Sequence, residues 1–233
     1  MNWKKAVFEN FKLYAVTNIQ AADTGVLQKI DAAYRGGADI VQLRTKHMTD
    51  RALMELGKEI RKIADRERKL FFVNDRLDIA LGAAADGVHL GQDDLPVEDA
   101  RRLCRRAGAR MWIGKSTHSL EQATNAEKEG ADYIGVGPVF ETPAKPGRKP
   151  VGVDLVSQVS TRVRIPFVAI GGIDSTNIER VLAAGATRIA AVRAIFAASD
   201  PGEAARRLRQ FIVTMSLPNV FIGDDGNHMT RGQ

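Results

Sequence analysis

The chain has 233 residues, 44% of them hydrophobic, enough for one large core, and α/β barrels of this length are commonly single domains. It has no apolar run of eighteen residues and one cysteine, Cys104; this excludes a transmembrane helix and a disulfide framework or cysteine-based metal cluster. The net charge of +6 suits anionic partners, but the densest basic run, Arg101 to Arg106, has no interleaved aromatics and reads as a solvated helix face rather than a nucleic-acid platform.

The amino-terminal MNWKKAVFENFKLYAV lacks the hydrophobic core and small-residue cleavage site of a signal peptide. A cytoplasmic protein with neither a nucleic-acid nor a membrane partner is expected. The sequence carries no mark of oligomeric state, and a homo-oligomer is compatible with it.

Short apolar runs mark eight strands, near residues 12–16, 39–43, 70–73, 87–90, 111–114, 133–136, 167–170 and 188–192. Helical patterns fill the gaps. Leu53, Leu56, Ile60 and Ile63 share a helical spacing within 49–68, Ser119 to Gln122 reads as a capping box, Asp174 or Ser175 can cap the next helix, and Pro201 to Phe211 makes the last. A weak repeat runs through GGADIVQLR, AAADGVHLG, EGADYIGVG and AGATRIAAV, with Asp39, Asp86, Asp132 and Thr187 in register at spacings of 47, 46 and 55 residues. Small residues there suit a helix end and a tight turn into a strand. Alternating short buried strands and helices predict a (β/α)8 TIM barrel, with a doubly wound sheet as the alternative. The barrel is expected over residues 1–215. Residues 216–233 have no helical period and many turn formers, and read as a flexible tail.

Active sites of such barrels form at the carboxyl-terminal strand ends. Collected there are Gln42, Arg44 and Lys46, then Asn74 and Asp75, then Gln92, Asp93 and Asp94, then Lys115, Ser116 and His118. Thr142 and Lys145 follow strand six, Gly171 to Ile173 follow strand seven, and Arg193 follows strand eight. The opposite ends carry mostly Gly, Ala and Asp. The glycines after strand seven, with the residues after strand eight, fit the phosphate site common in these barrels. Arg44, Lys46 and Lys145 would form a second positive pocket, where Asp75 and Asp94 make sense if a hard cation sits between them and an anionic substrate. Mg²⁺ is held by one or two carboxylates with substrate phosphates and waters. The histidines, His47, His89, His118 and His228, have no zinc spacing. His89 reads as a packed strand residue, and His118 either opens a helix or faces the pocket.

The segments QLRTK, VNDRLDIA, ADGVHLGQDDLP, IGKSTH, GPVFETPAK, IGGI and AVRAIF, in this order and spacing, resemble the thiamine phosphate synthase family over roughly residues 11 to 213. The resemblance implies an Mg²⁺-dependent transferase of thiamine biosynthesis that joins hydroxymethylpyrimidine diphosphate to a thiazole phosphate, through a carbocation formed as diphosphate departs. Carried over by position, Gln42, Arg44, Lys46, Asn74, Ser116 and Lys145 would bind the pyrimidine diphosphate, with Arg44, Lys46 and Lys145 acting on the leaving group. Asp75 and Asp94 would hold Mg²⁺, whereas Asp93 fills a variable slot. Thr142, Pro143, Ala144, Gly172, Val192 and Arg193 would bind the thiazole phosphate. Two departures bear on that side: Ala144 stands where the family often has a hydroxyl residue, and Arg193 where it often has serine. The loop around Gly147 is a lid candidate. The related thiazole tautomerases, which would use His118 as acid or base, and a non-catalytic regulator on the same barrel are the rival readings. Tautomerases generally lack the metal-binding pair.

Overall fold

The computed structural model describes residues 3–19, 25–45, 48–143 and 147–215. Eight parallel strands close into one barrel in sequence order: β1 (Leu13–Val16), β2 (Ile40–Leu43), β3 (Leu70–Asn74), β4 (Gly87–Leu90), β5 (Trp112–Thr117), β6 (Tyr133–Val136), β7 (Phe167–Ile170) and β8 (Ile189–Ala191). β1 pairs with both β2 and β8, which completes the ring. This is the predicted (β/α)8 barrel, with strand bounds close to those expected. The exception is β5, which runs on through Lys115, Ser116 and Thr117. Those polar residues look like a loop in sequence, yet they keep register with Leu90 of β4 and with Ile134, Gly135 and Val136 of β6.

Side chains alternate across each strand. Leu13, Val41, Phe71, Val88, Ile113 and Ile134 pack outward in the layer beneath the helices, whereas Tyr14, Ile40, Phe72, Tyr133 and Val168 fill the barrel interior. Interior bulk is matched by glycine. A Cβ at Gly87 would lie 2.4 Å from the Phe72 ring, and one at Gly114 would lie 2.3 Å from the Tyr133 ring.

The outer layer contains α2 (Val26–Arg35), α3 (Asp50–Glu67), α4 (Leu77–Gly82), α5 (Val97–Arg106), α6 (Leu120–Lys128), α7 (Gly152–Arg162), α8 (Ile178–Ala183), α9 (Arg193–Phe196) and α10 (Pro201–Met215). Thr49 and Ser119 cap α3 and α6 through their side-chain oxygens. The box at Ser119 closes one residue earlier than expected, because Gln122 Oε1 accepts from the His118 N–H. Neither Asp174 nor Ser175 caps α8. Asp174 instead binds Thr176 within the turn, and α8 begins only after Asn177. α10 runs past Phe211 to Met215. The proposed tail lies outside the described residues.

A helix that the strand-and-helix reading lacks, α1 (Trp3–Asn10), precedes β1. Its Phe8 stacks on Trp112 with ring centroids 4.4 Å apart and meets Tyr133 edge-on, so it plugs the amino-terminal end of the barrel. Trp3, Val7, Phe8 and Phe11 share a helical spacing that marks this face in the sequence.

Candidate active site

The other end of the barrel opens into a cavity of about 510 Å³. Gln42, Arg44, Asn74, Ser116, Thr142, Pro143, Gly172, Val192 and Arg193 all line it, so residues far apart in sequence are brought together. His118 also lines it, with its Nδ1 hydrogen-bonded to the Gly137 carbonyl. Lys46, Ala144 and Lys145 lie outside the described residues, as does Pro146, so three residues of the lid candidate, 144–146, are not described.

Backbone and side chain position Arg44 separately. Its N–H donates to Thr17 Oγ1 at 2.8 Å, and its guanidinium donates to Asn18 Oδ1 at 2.9 Å. Neither Arg44 nor Arg193 has a carboxylate within 4.0 Å among the described residues, so the cavity wall carries two cations suited to an anionic ligand.

At the far wall, the loops after β6 and β7 run together. Phe140 N–H donates to the Gly171 carbonyl, and Val139 N–H to the Ile170 carbonyl. Gly171 and Gly172 have φ of 102° and 67°, the left-handed region that glycine enters without steric cost. A Cβ at Gly172 would sit 2.6 Å from the Glu141 carbonyl oxygen. Glycine is therefore required there, and it leaves backbone open to an approaching anion.

Asp75 and Asp94 do not line the cavity. They stand at the ends of β3 and β4, adjacent parallel strands in which Asn74 pairs with His89. Asp75 is exposed and has φ of 60°, unusual for a residue other than glycine. Its Oδ2 accepts the Asn74 amide at 2.6 Å, and its N–H donates to the His89 carbonyl. Asp94 is half-buried; its Oδ2 accepts the Gly91 N–H at 2.6 Å, and no lysine or arginine pairs with it among the described residues. Asp93 is exposed. No group of three or more His, Cys, Asp or Glu able to hold a metal occurs among the described residues. Two hard oxygen donors on neighbouring strand ends, without a protein-only cage, fit Mg²⁺ completed by substrate phosphate and water.

Beneath the cavity a chain of hydrogen bonds crosses the interior, and strand periodicity gave no sign of it. Gln42 Nε2 donates to Tyr14 Oη at 2.9 Å, Tyr14 and Tyr133 hydroxyls meet at 2.9 Å, Tyr133 Oη meets His89 Nδ1 at 2.9 Å, and His89 Nε2 meets Ser116 Oγ at 3.0 Å. With the Gln42 amide donating, the buried Tyr14 hydroxyl must pass its hydrogen to Tyr133, and Tyr133 to His89 Nδ1. Nε2–H then donates to Ser116, whose own hydrogen is left for a ligand. Burial pushes the phenols of Tyr14 and Tyr133 well above the ordinary tyrosine range, so both stay neutral. His89 is thus the packed, bonded histidine expected, but it also lines the cavity. The available sequence signal was a tyrosine in each of two otherwise aliphatic interior strands, since a buried phenol requires a polar partner.

Among known proteins, the thiamine monophosphate synthase family profile matches residues 13–195. The thiamine-phosphate synthase of Synechococcus sp. (strain WH7803) is 44% identical over 88% of this chain and 58% of its own length. That of Pyrococcus horikoshii is 42% identical over 91% of this chain and 98% of its own length. The chain thus spans little more than half of the first of these relatives. Among solved structures, the thiamine phosphate pyrophosphorylase of Pyrococcus furiosus superposes with a TM-score of 0.80 at 37% identity, over 88% of this chain and 97% of that one. The chain belongs to the thiamine monophosphate synthase family.

Proposed function

We propose that this chain joins hydroxymethylpyrimidine diphosphate to a thiazole phosphate, giving thiamine phosphate and diphosphate, as a cytoplasmic enzyme of thiamine biosynthesis. One observation carries this reading. A single cavity has Gln42, Arg44, Asn74 and Ser116 on one wall and Gly172, Val192 and Arg193 on the other, with two carboxylates at the neighbouring ends of β3 and β4.

The pyrimidine diphosphate lies on the β2–β5 side. Ser116 donates its hydroxyl to it, and Gln42 is held in orientation by Tyr14. The thiazole phosphate lies against Gly172 and the start of α9, where open backbone N–H groups and Arg193 meet its charge. Asp75 and Asp94 would hold Mg²⁺. When bound, the ion neutralises charge that builds on the departing diphosphate.

In the reaction the carbon–oxygen bond to the diphosphate breaks, and its electron pair leaves with that group. The thiazole nitrogen then forms the new carbon–nitrogen bond with its lone pair. No proton moves, so no general base is needed, and the neutral phenols beneath the cavity supply none. Arg44, with Lys46 and Lys145, stabilises the leaving charge, a preorganised electrostatic contribution of the kind that usually dominates such steps. The tautomerase and regulator readings are not favoured, since both carboxylates stand at adjoining strand ends.

The test is to incubate the purified protein with both substrates, with and without Mg²⁺, and to measure thiamine phosphate. Product is expected only with Mg²⁺. Its absence with Mg²⁺ present overturns the reading, and metal-independent product removes the role given to Asp75 and Asp94.

A further inference from the structure

Lys115 has no part in the site described so far. It sits on β5 between Gly114 and Ser116, which face the interior, and so points outward beneath the helices. It is only 6% exposed, and no carboxylate lies within 4.0 Å of it among the described residues. A buried ammonium is costly unless it is paired. Its partner is a backbone carbonyl: Nζ donates to Gly91 O at 2.7 Å.

Gly91 opens the turn that presents Asp94. Its N–H is taken by Asp94 Oδ2 at 2.6 Å, and a Cβ on Gly91 would lie 2.7 Å from that same oxygen. One residue, Gly91, therefore links the buried lysine to the candidate metal carboxylate through its carbonyl on one side and its N–H on the other. A second stitch runs alongside it, since Gln92 Nε2 donates to the Ser116 carbonyl. The turn from Gly91 to Asp94 is thus fastened to β5 at two consecutive residues.

We propose that Lys115 is a positioning residue for the cation site. By holding the Gly91 carbonyl it fixes the turn and aims the Asp94 carboxylate. This rests on Asp94 being a metal ligand. Charge and geometry act with opposite sign here, which makes the idea testable. Removing a positive charge near the site would by itself tighten cation binding, whereas releasing the turn would weaken it.

The experiment measures Mn²⁺ binding by electron paramagnetic resonance, with inorganic diphosphate present, for the parent chain and for Lys115→Met, Lys115→Arg, Gln92→Ala and Asp94→Asn. Thermal unfolding is followed in parallel. Expected results are a roughly tenfold weaker Mn²⁺ affinity for Lys115→Met and a threefold loss for Gln92→Ala, with Lys115→Arg near the parent because it keeps a donor to the carbonyl. Lys115→Met should melt no lower than the parent, since a buried charge with no carboxylate partner among the described residues is replaced by an apolar chain of similar length. Unchanged or tighter Mn²⁺ binding by Lys115→Met overturns the proposal. So does a Lys115→Met chain that fails to fold or melts markedly lower, which would make Lys115 a structural pin; Gln92→Ala, changed at an exposed residue, still reads the turn in that case, and no loss there overturns it independently. If Asp94→Asn binds Mn²⁺ as the parent does, the ligand role of Asp94 falls and the proposal with it. If Asp94→Asn loses binding and Lys115→Met does not, only the role of Lys115 falls.

Discussion

At the amino-terminal end of the barrel, Asp39, Asp86 and Asp132 each accept a backbone N–H from the start of the preceding strand, at Lys12 and Leu13, Phe71 and Ile113 respectively. Each is also paired with basic side chains: Asp39 with Lys69 and Arg209, Asp86 with Lys4 and Arg61, Asp132 with Arg101. At the other end Asp94 accepts one N–H of its own turn and has no basic partner among the described residues. A carboxylate has about four lone-pair sites. Where the fold fills them the group is a clamp, and where it leaves them open the group can bind a ligand. The same residue type thus serves stability at one end and, in the proposed function, chemistry at the other, as expected of the two faces of such a barrel.

The sharpest way to break this contrast is to remove the outward carboxylates. Asp75→Ala and Asp94→Ala should each lower kcat by about a thousandfold, in line with loss of a preorganised charge-stabilising group. Urea unfolding should move by no more than about 1 kcal/mol, the scale of one lost hydrogen bond. Asp86→Ala should do the reverse. Unfolding free energy should drop by about 3 kcal/mol, because the buried Phe71 N–H loses its acceptor and Arg61, still charged and buried, keeps only Asp65 as a carboxylate partner, while kcat/KM of the folded enzyme stays within a factor of about two. A stable Asp86→Ala with impaired catalysis would erase the distinction between the ends.

A smaller effect probes the floor between them. Tyr133→Phe breaks the interior chain at its middle and leaves Tyr14 and His89 each short of a partner. The loss of about 1–3 kcal/mol expected for unsatisfied buried groups should raise the KM for the pyrimidine diphosphate, with little change for the thiazole phosphate. The smallest effect concerns acid. Burial alone would raise the pKa of Asp39, but Lys69, the Lys12 N–H and Arg209 outweigh it and hold the carboxyl below the ordinary aspartate range. A group whose folded pKa is depressed stabilises above its unfolded pKa of about 3.9 and loses that contribution as pH falls through the folded value. The melting-temperature gap between the parent and Asp39→Asn should therefore be constant at neutral pH and shrink below about pH 4. A gap that persists there assigns Asp39 a role independent of its charge.

Much of the barrel is legible in the sequence because its strands are short, continuous apolar runs, buried on both faces. Seven of them sit within a residue or two of the expected bounds. β5 is longer because Lys115, Ser116 and Thr117 remain paired despite their polarity, and polarity alone cannot separate a loop from a strand end that lines a site. The candidate site residues were chosen by position after each strand, and most of those within the described residues line one cavity, whereas Asp75, Gln92, Asp93, Asp94 and Lys115 do not. Tyr14 and Tyr133 were hidden because strand periodicity counts tyrosine as bulk and is blind to where its hydroxyl points. Asp39, Asp86 and Asp132 stood out as a repeat, but their role depends on Lys12, Phe71 and Ile113, which lie 27, 15 and 19 residues away.

The clamps also divide the barrel unequally. Each ties one odd strand to the even strand that follows it, so β1–β2, β3–β4 and β5–β6 are held at their base. Between β7 and β8 the equivalent position is Thr187, which has no carboxylate to offer, and only two residue pairs connect the strands. Thermal fluctuations that part the staves should therefore begin at this seam, making its amides the first of the barrel to exchange with solvent. That seam carries Gly171, Gly172 and Arg193, so the wall proposed to receive the thiazole phosphate is also the quarter of the barrel best able to breathe as a ligand enters or leaves.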